Sequence, residues 1–111
     1  RLLEAGARVA LSTDLNPGSS PTSNLWLMAT MGCSQLRMSA EEVIRAITIE
    51  AAAALALDDE VGSLEVGKKA DILILEETRH VEIPYRYGMN PVWRVYKEGR
   101  LVVKRDLLGE V

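Results

Sequence analysis

The sequence predicts an α/β chain in which one buried strand leads, two helices follow and a small β unit closes. Three observations carry that prediction. A short apolar run, Arg8-Val9-Ala10-Leu11-Ser12, stops at an acid and a proline–glycine loop. A capping box opens the clearest helix at Ser39. From Val61 onward, helical spacing of the apolar residues gives way to short β-like runs.

Leu2-Leu3-Glu4-Ala5-Gly6 reads as the tail of a helix, with Gly6 as its stop because glycine takes the left-handed backbone freely. With no initiator Met, and with a domain rarely starting inside a last helical turn, the chain is expected to be a piece of a larger protein. The missing part is expected on the N-terminal side. The run at 8–12 is brief and does not alternate strictly, which suits a strand buried on both faces, as in a parallel sheet. Residues 13–23 then form a loop rich in hydroxyls, with Pro17, Gly18 and Pro21. Ser23 is placed to cap a helix from Asn24 to about Leu36, on which Leu25, Met28 and Met31 or Gly32 fall roughly one turn apart.

Ser39-Ala40-Glu41-Glu42 has the form of a capping box, the serine hydroxyl covering an orphan amide while Glu42 reaches back. Val43, Ile44, Ile47, Ala51 and Leu55 follow at helical spacing. A single long helix is therefore expected, ending at Asp58-Asp59 and Gly62. Asp71-Ile72-Leu73-Ile74-Leu75 reads as a buried strand, entered through Val66-Gly67-Lys68-Lys69. After an irregular stretch holding Pro84, Gly88 and Pro91, Val92 to Lys97 and Arg100 to Lys104 are expected to form a hairpin around Glu98-Gly99. The chain divides into residues 1–60 and residues 61–111, and no single compact domain follows from that order.

Composition narrows the function classes. The 111 residues are 48% hydrophobic and 26% charged, which excludes disorder and a disulfide-stapled miniprotein. A net charge of −3 with the signs interspersed gives no footprint for nucleic acid. The longest apolar run, Ala51 to Leu57, falls far short of the roughly 20 residues that span a bilayer, so no membrane role is expected. One cysteine, Cys33, excludes an internal disulfide and agrees with a cytoplasmic location.

The segment Ser12-Thr13-Asp14-Leu15-Asn16-Pro17-Gly18-Ser19-Ser20 is the most informative. An acid at the carboxyl end of a buried strand, followed by a polar loop, is where parallel α/β enzymes place their chemistry. Asp14 suits a metal ligand or a proton acceptor. Asn16, Ser19 and the Gly18 amide suit hydrogen bonds to an anionic or amide-bearing substrate. The bland alternative makes Asp14 a turn residue in an ordinary Pro-Gly loop, and spacing alone leaves both open. Gly62-Ser63-Leu64-Glu65-Val66-Gly67-Lys68-Lys69 nearly matches a phosphate-binding loop. It nevertheless follows a helix, leads into a strand and has Lys69 where a hydroxyl belongs, so a surface turn is expected. His80 reads as a solvated loop residue and Cys33 as a packing residue. Trp26, Met28, Met31 and Met38 read as helix-face core, and Trp93 and Tyr96 as hairpin packing. Tyr85, Arg86 and Tyr87 stay open between burial and contact with a ligand.

From Thr13 to Ser19 the chain resembles the imidazolonepropionase family of the metal-dependent amidohydrolase superfamily. Met38 to Thr48 and the alanine-rich helix are similar to the segment that follows in that family. Val61 to Ile72 resembles the superfamily's common return into its β-sandwich. Tyr87-Gly88-Met89-Asn90-Pro91-Val92 and Lys97-Glu98-Gly99-Arg100-Leu101-Val102 are similar to its closing strands. The resemblance implies a C-terminal portion of a (β/α)₈ TIM barrel, which when complete needs about 250 residues, plus part of a small β-sandwich. It implies hydrolysis of 4-imidazolone-5-propanoate to N-formimidoyl-L-glutamate, a step of histidine degradation, with one zinc or iron ion. By the same resemblance Asp14 is metal ligand and catalytic carboxylate, and Asn16, Gly18 and Ser19 bind substrate. The remaining metal ligands would lie in the missing N-terminal part of the same protein, so the chain alone is expected to be inactive. Another deaminase or cyclic amidase of the superfamily, a non-catalytic scaffold and a homo-oligomeric state all remain alternatives.

Overall fold

A computed structural model describes residues 2–20, 22–76, 79–85 and 89–105. Its elements run α1 (Leu25–Leu36), α2 (Ala40–Ile47), α3 (Ile49–Ala54), β1 (Ile72–Leu75), α4 (Glu82–Tyr85), β2 (Val92–Lys97) and β3 (Arg100–Lys104). The three strands form one antiparallel sheet in the order β1-β2-β3.

The first residues close as a helix end closes. Gly6, at φ 86°, donates its amide to the Leu3 carbonyl, and Ala7 donates to Leu2. Those paired bonds are the ones that satisfy the last carbonyls of a helix. The run at 8–12 is not a strand among the described residues, contrary to the sequence reading. A strand exists only with a ladder partner, and here the Leu11 amide instead donates to the Ala46 carbonyl at 3.1 Å.

Ser23 does not cap α1. Asn24 does, its side chain accepting from the Leu27 amide, while Thr22 holds the Asn24 amide. Both positions carry good capping side chains, and the helix starts one residue later than the hydroxyl pattern indicates. The capping box at Ser39 forms as expected, with Glu42 N donating to Ser39 Oγ and Ser39 N donating to Glu42. The long helix expected after it is broken into α2 and α3 at Thr48, whose backbone (φ −120°, ψ −94°) is not helical. The Thr48 hydroxyl turns back to the Ile44 carbonyl at 2.6 Å, a competition with the helix that β-branched hydroxyl residues offer. The break falls just beyond Ala46 and lets that carbonyl take the Leu11 amide. α3 ends at Ala54, short of the acids at 58 and 59.

The sheet follows the sequence reading closely. β1 pairs with β2 from Ile72↔Tyr96 to Leu75↔Val92, and β2 turns into β3 through Glu98 and Gly99, both at positive φ. A residue pair at positive φ is what a tight hairpin turn requires. The short helix α4, inside the stretch read as irregular, is held to α1 by Thr30 Oγ1, which donates to the Pro84 carbonyl at 2.8 Å.

The core is small. Ala29, Met38, Val43 and Ala46 are buried together, with Leu11, Cys33, Ile44 and Ile47 packed against them. Gly32 is what allows this approach: a Cβ there would stand 2.7 Å from Val43 Cγ1 and 3.0 Å from Leu11 Cδ1. A cleft of about 570 Å³ separates the helices from the sheet, with Trp26, Ile44 and Ile47 on one wall and Ile72, Leu73 and Leu75 on the other. The chain exposes 8014 Å² for 12.2 kDa. A compact monomer of that mass exposes roughly 6000 Å².

Candidate functional site

The segment at 8–12 is fastened at two points before it reaches Asp14. Leu11 is hydrogen-bonded to α2 and packed on the core. Arg8 reaches Glu50 of α3 at 2.7 Å, and Arg45 approaches the other carboxylate oxygen at 3.5 Å. The hydrogen bond from Arg8 is the main reason that the Glu50 carboxyl is held below the usual range, with Arg45 adding to it against partial burial. Charge at Glu50 thus secures the segment while it remains ionised.

Past Thr13 the chain turns sharply. Asp14 sits at φ 49°, a left-handed backbone that costs an L-residue about 1–2 kcal/mol and that Asp tolerates better than most. The next residues close into a tight loop through an antiparallel bridge between Asn16 and Ser20, with Asn16 N donating to the Ser20 carbonyl at 2.9 Å. The Asn16 carboxamide organises the interior of that loop. Its Oδ1 accepts from the amides of Gly18 and Ser19, both at 2.8 Å. Its Nδ2 donates to the Asp14 carbonyl at 2.8 Å and to Ser19 Oγ at 3.3 Å. Ser20 Oγ donates to the Thr13 carbonyl at 2.6 Å.

Asp14, Asn16, Gly18 and Ser19 therefore fall in one loop, with distinct duties. Asn16, Gly18 and Ser19 spend their polar atoms on one another. Among the described residues, the Asp14 carboxylate makes neither a hydrogen bond nor an ion pair, and Asp14 is exposed. A free, exposed carboxylate on a secured backbone can accept a proton or donate an electron pair to a cation. It does not make a metal site by itself: no group of three or more His, Cys, Asp or Glu that could hold an ion exists among the described residues. Zinc takes four donors in most sites, so the donor set among the described residues does not fit a complete centre.

The other candidates resolve plainly. In the phosphate-loop lookalike, Ser63 Oγ donates to Glu65 at 2.6 Å and accepts from Lys68 Nζ at 2.7 Å, and Lys69 pairs with Glu60. Its lysines are spent, and β1 rather than a helix follows. The hydrogen bond from Ser63, then Lys68, holds the Glu65 carboxyl below its usual range. Cys33 packs against the core, and burial, with Glu42 adding, pushes its thiol up and away from thiolate chemistry. His80 faces Glu41 at 3.7 Å. Met38 is buried as expected, whereas Met31 is exposed. Tyr85 is exposed, and Trp93 carries the Arg94 guanidinium 4.4 Å over its ring. Arg86, Tyr87 and Gly88 lie outside the described residues. The sequence reading missed Ser20 and the Arg8–Glu50 pair. The pair joins positions 42 apart, and the bond from Ser20 depends on how the loop closes, so no local pattern marks either.

The amidohydrolase family model matches residues 1–102. The chain belongs to the amidohydrolase family. Among curated proteins it is similar to the imidazolonepropionase of Alkaliphilus oremlandii (strain OhILAs), at 50% identity over 95% of this chain and 25% of that protein. It is likewise similar to the imidazolonepropionase of Geobacillus sp. (strain WCH70), at 49% identity over 97% of this chain and 26% of that one. The chain thus spans about a quarter of the length of the curated relatives it matches. Among solved structures, an adenosine deaminase from Xanthomonas campestris with bound zinc superposes with a TM-score of 0.78 at 23% identity. That match covers 93% of this chain and 27% of the deaminase. The fold of this amidohydrolase chain, four helices and a three-stranded sheet among the described residues, is therefore shared with part of that larger deaminase chain.

Proposed function

We propose that the chain is part of an imidazolonepropionase, which opens the ring of 4-imidazolone-5-propanoate with water to give N-formimidoyl-L-glutamate. The observation that carries this reading is identity of 49–50% to curated imidazolonepropionases along nearly the whole chain, against 23% to a deaminase of the same fold. Residues 1–60 would belong to the end of a (β/α)₈ barrel and residues 61–111 to strands of a small β-sandwich. The run at 8–12 would then gain its ladder partners from the rest of the polypeptide, which also accounts for the excess exposed surface.

In this reading Asp14 works at the reacting centre. The oxygen of water adds to the ring carbonyl carbon, the ring C–N bond breaks, and the leaving nitrogen takes a proton. Asp14 is the carboxylate placed to receive the proton that the water gives up. It would also be this chain's one donor to a zinc or iron ion whose other donors come from outside the chain. Asn16, Gly18 and Ser19 face the substrate. A propionate arriving at the loop would compete with Asn16 Oδ1 for the amides of Gly18 and Ser19, which are ready-made donors for a carboxylate. The reaction would run in the cytoplasm. The partners are then the small substrate and the remainder of the same polypeptide.

The test is an assay of the full-length protein against imidazolonepropionate and a panel of cyclic amides and aminopurines. Turnover of imidazolonepropionate above all others is expected, with none from the 111 residues alone. Preferred release of ammonia from an aminopurine would replace this reading with a deaminase.

A further inference from the structure

The loop holds a feature that substrate contact does not require. Asp14 has two rotatable backbone bonds, and each adjoins a carbonyl that is tied down. The Thr13 carbonyl lies across the φ bond of Asp14 and accepts from Ser20 Oγ at 2.6 Å. The Asp14 carbonyl lies across its ψ bond and accepts from Asn16 Nδ2 at 2.8 Å. Ser20 is itself fixed, since its carbonyl accepts from the Asn16 amide and its residue is half-buried while Asp14 is exposed. A left-handed backbone at an aspartate relaxes unless the surrounding structure over-determines it. Here the over-determination comes from one hydroxyl and one carboxamide.

We infer that Ser20 is a positioning residue for Asp14, its hydroxyl locking the φ of the catalytic carboxylate by holding the Thr13 carbonyl. The inference rests on the proposed role of Asp14. Ser20 touches neither substrate nor reacting atoms. Its loss would leave the carboxylate present and the loop closed, but would let the backbone of Asp14 rotate away from its working geometry.

The experiment uses the full-length protein with Ser20→Ala and Ser20→Thr. A misplaced reacting group costs turnover rather than binding, so Ser20→Ala should lower kcat by about tenfold or more with KM within about twofold. Ser20→Thr, which keeps the hydroxyl, should restore most of it. The second readout needs no substrate: the half-life of bound metal against a chelator should shorten in Ser20→Ala and recover in Ser20→Thr. A far-UV spectrum and melting temperature like the wild type's would show that the loss is not general unfolding, which a purely structural role predicts. An unchanged kcat with an unchanged chelator half-life overturns the inference, and so does a loss that Ser20→Thr fails to restore in a folded protein. A wild type that ignores imidazolonepropionate sinks the proposed reaction instead. The chelator half-lives of the two variants then still decide for or against the clamp.

Discussion

The loop at 13–20 and the turn at 62–69 are built from the same materials: hydroxyls, glycine and charged side chains. In the turn the charges cancel locally. Lys68, Ser63 and Glu65 form a closed set, and Lys69 meets Glu60. In the loop the neutral groups satisfy one another and one charge is left over, the carboxylate of Asp14. Polar density and glycine spacing make both segments look like sites, and the turn even imitates a nucleotide-binding motif. What separates them is whether a reactive group remains unspent once the backbone has been fixed.

Breaking the loop should cost most. In the full-length protein Asp14→Asn keeps the shape and removes the charge, and turnover should fall by roughly a thousandfold. Steady-state kinetics with wild-type turnover would remove Asp14 from the chemistry. Asn16→Ala comes next. One carboxamide holds the loop amides and the Asp14 carbonyl, so KM should rise and kcat fall together, each by about tenfold. A change in KM alone would confine Asn16 to substrate contact. Lys68→Ala should leave kcat and KM as they are and lower stability by about 1 kcal/mol in urea titration. A loss of turnover there would erase the contrast between the two segments.

The smallest effect is a pH dependence in the turn. The folded pKa of Glu65 is held below its unfolded value by Ser63 and Lys68. Its contribution to stability is therefore complete above the ordinary carboxylate range, about pH 4, and is lost as pH falls through the lower folded value. The gap in urea midpoint between wild type and Glu65→Gln should be widest near neutral pH and close on acidification. A gap that widens in acid would mean that the carboxylate is not stabilised where the turn places it.

Much of this was legible locally. The capping box at Ser39 and Glu42, the turn at Glu98-Gly99 and the acid that ends the apolar run at 8–12 each declare themselves within a few residues. What was not legible depended on the third dimension. The break at Thr48 is invisible to apolar spacing, because Ala51 continues the face that Ile47 leaves, and only the hydroxyl bond to Ile44 betrays it. α4 is four residues long and contains a proline, below what periodicity can register. The run at 8–12 has a strand's composition, but strand status belongs to a pair. The duties of Asn16 and Ser20 were hidden for the same reason. Type and position announce a hydrogen-bonding group, whereas only the folded loop says which carbonyl it holds.

The sheet's outer strand has a colloidal consequence. Among the described residues β1 is hydrogen-bonded on one side only, to β2, and its four residues are Ile, Leu, Ile and Leu, with Leu73 and Ile74 exposed. No lysine or proline interrupts it, and those are the residues that keep an open edge from templating another strand. Produced on its own, the chain would meet further copies of itself at this edge. The concentration at which its solutions stay clear would then be set by β1 rather than by the loop that carries Asp14.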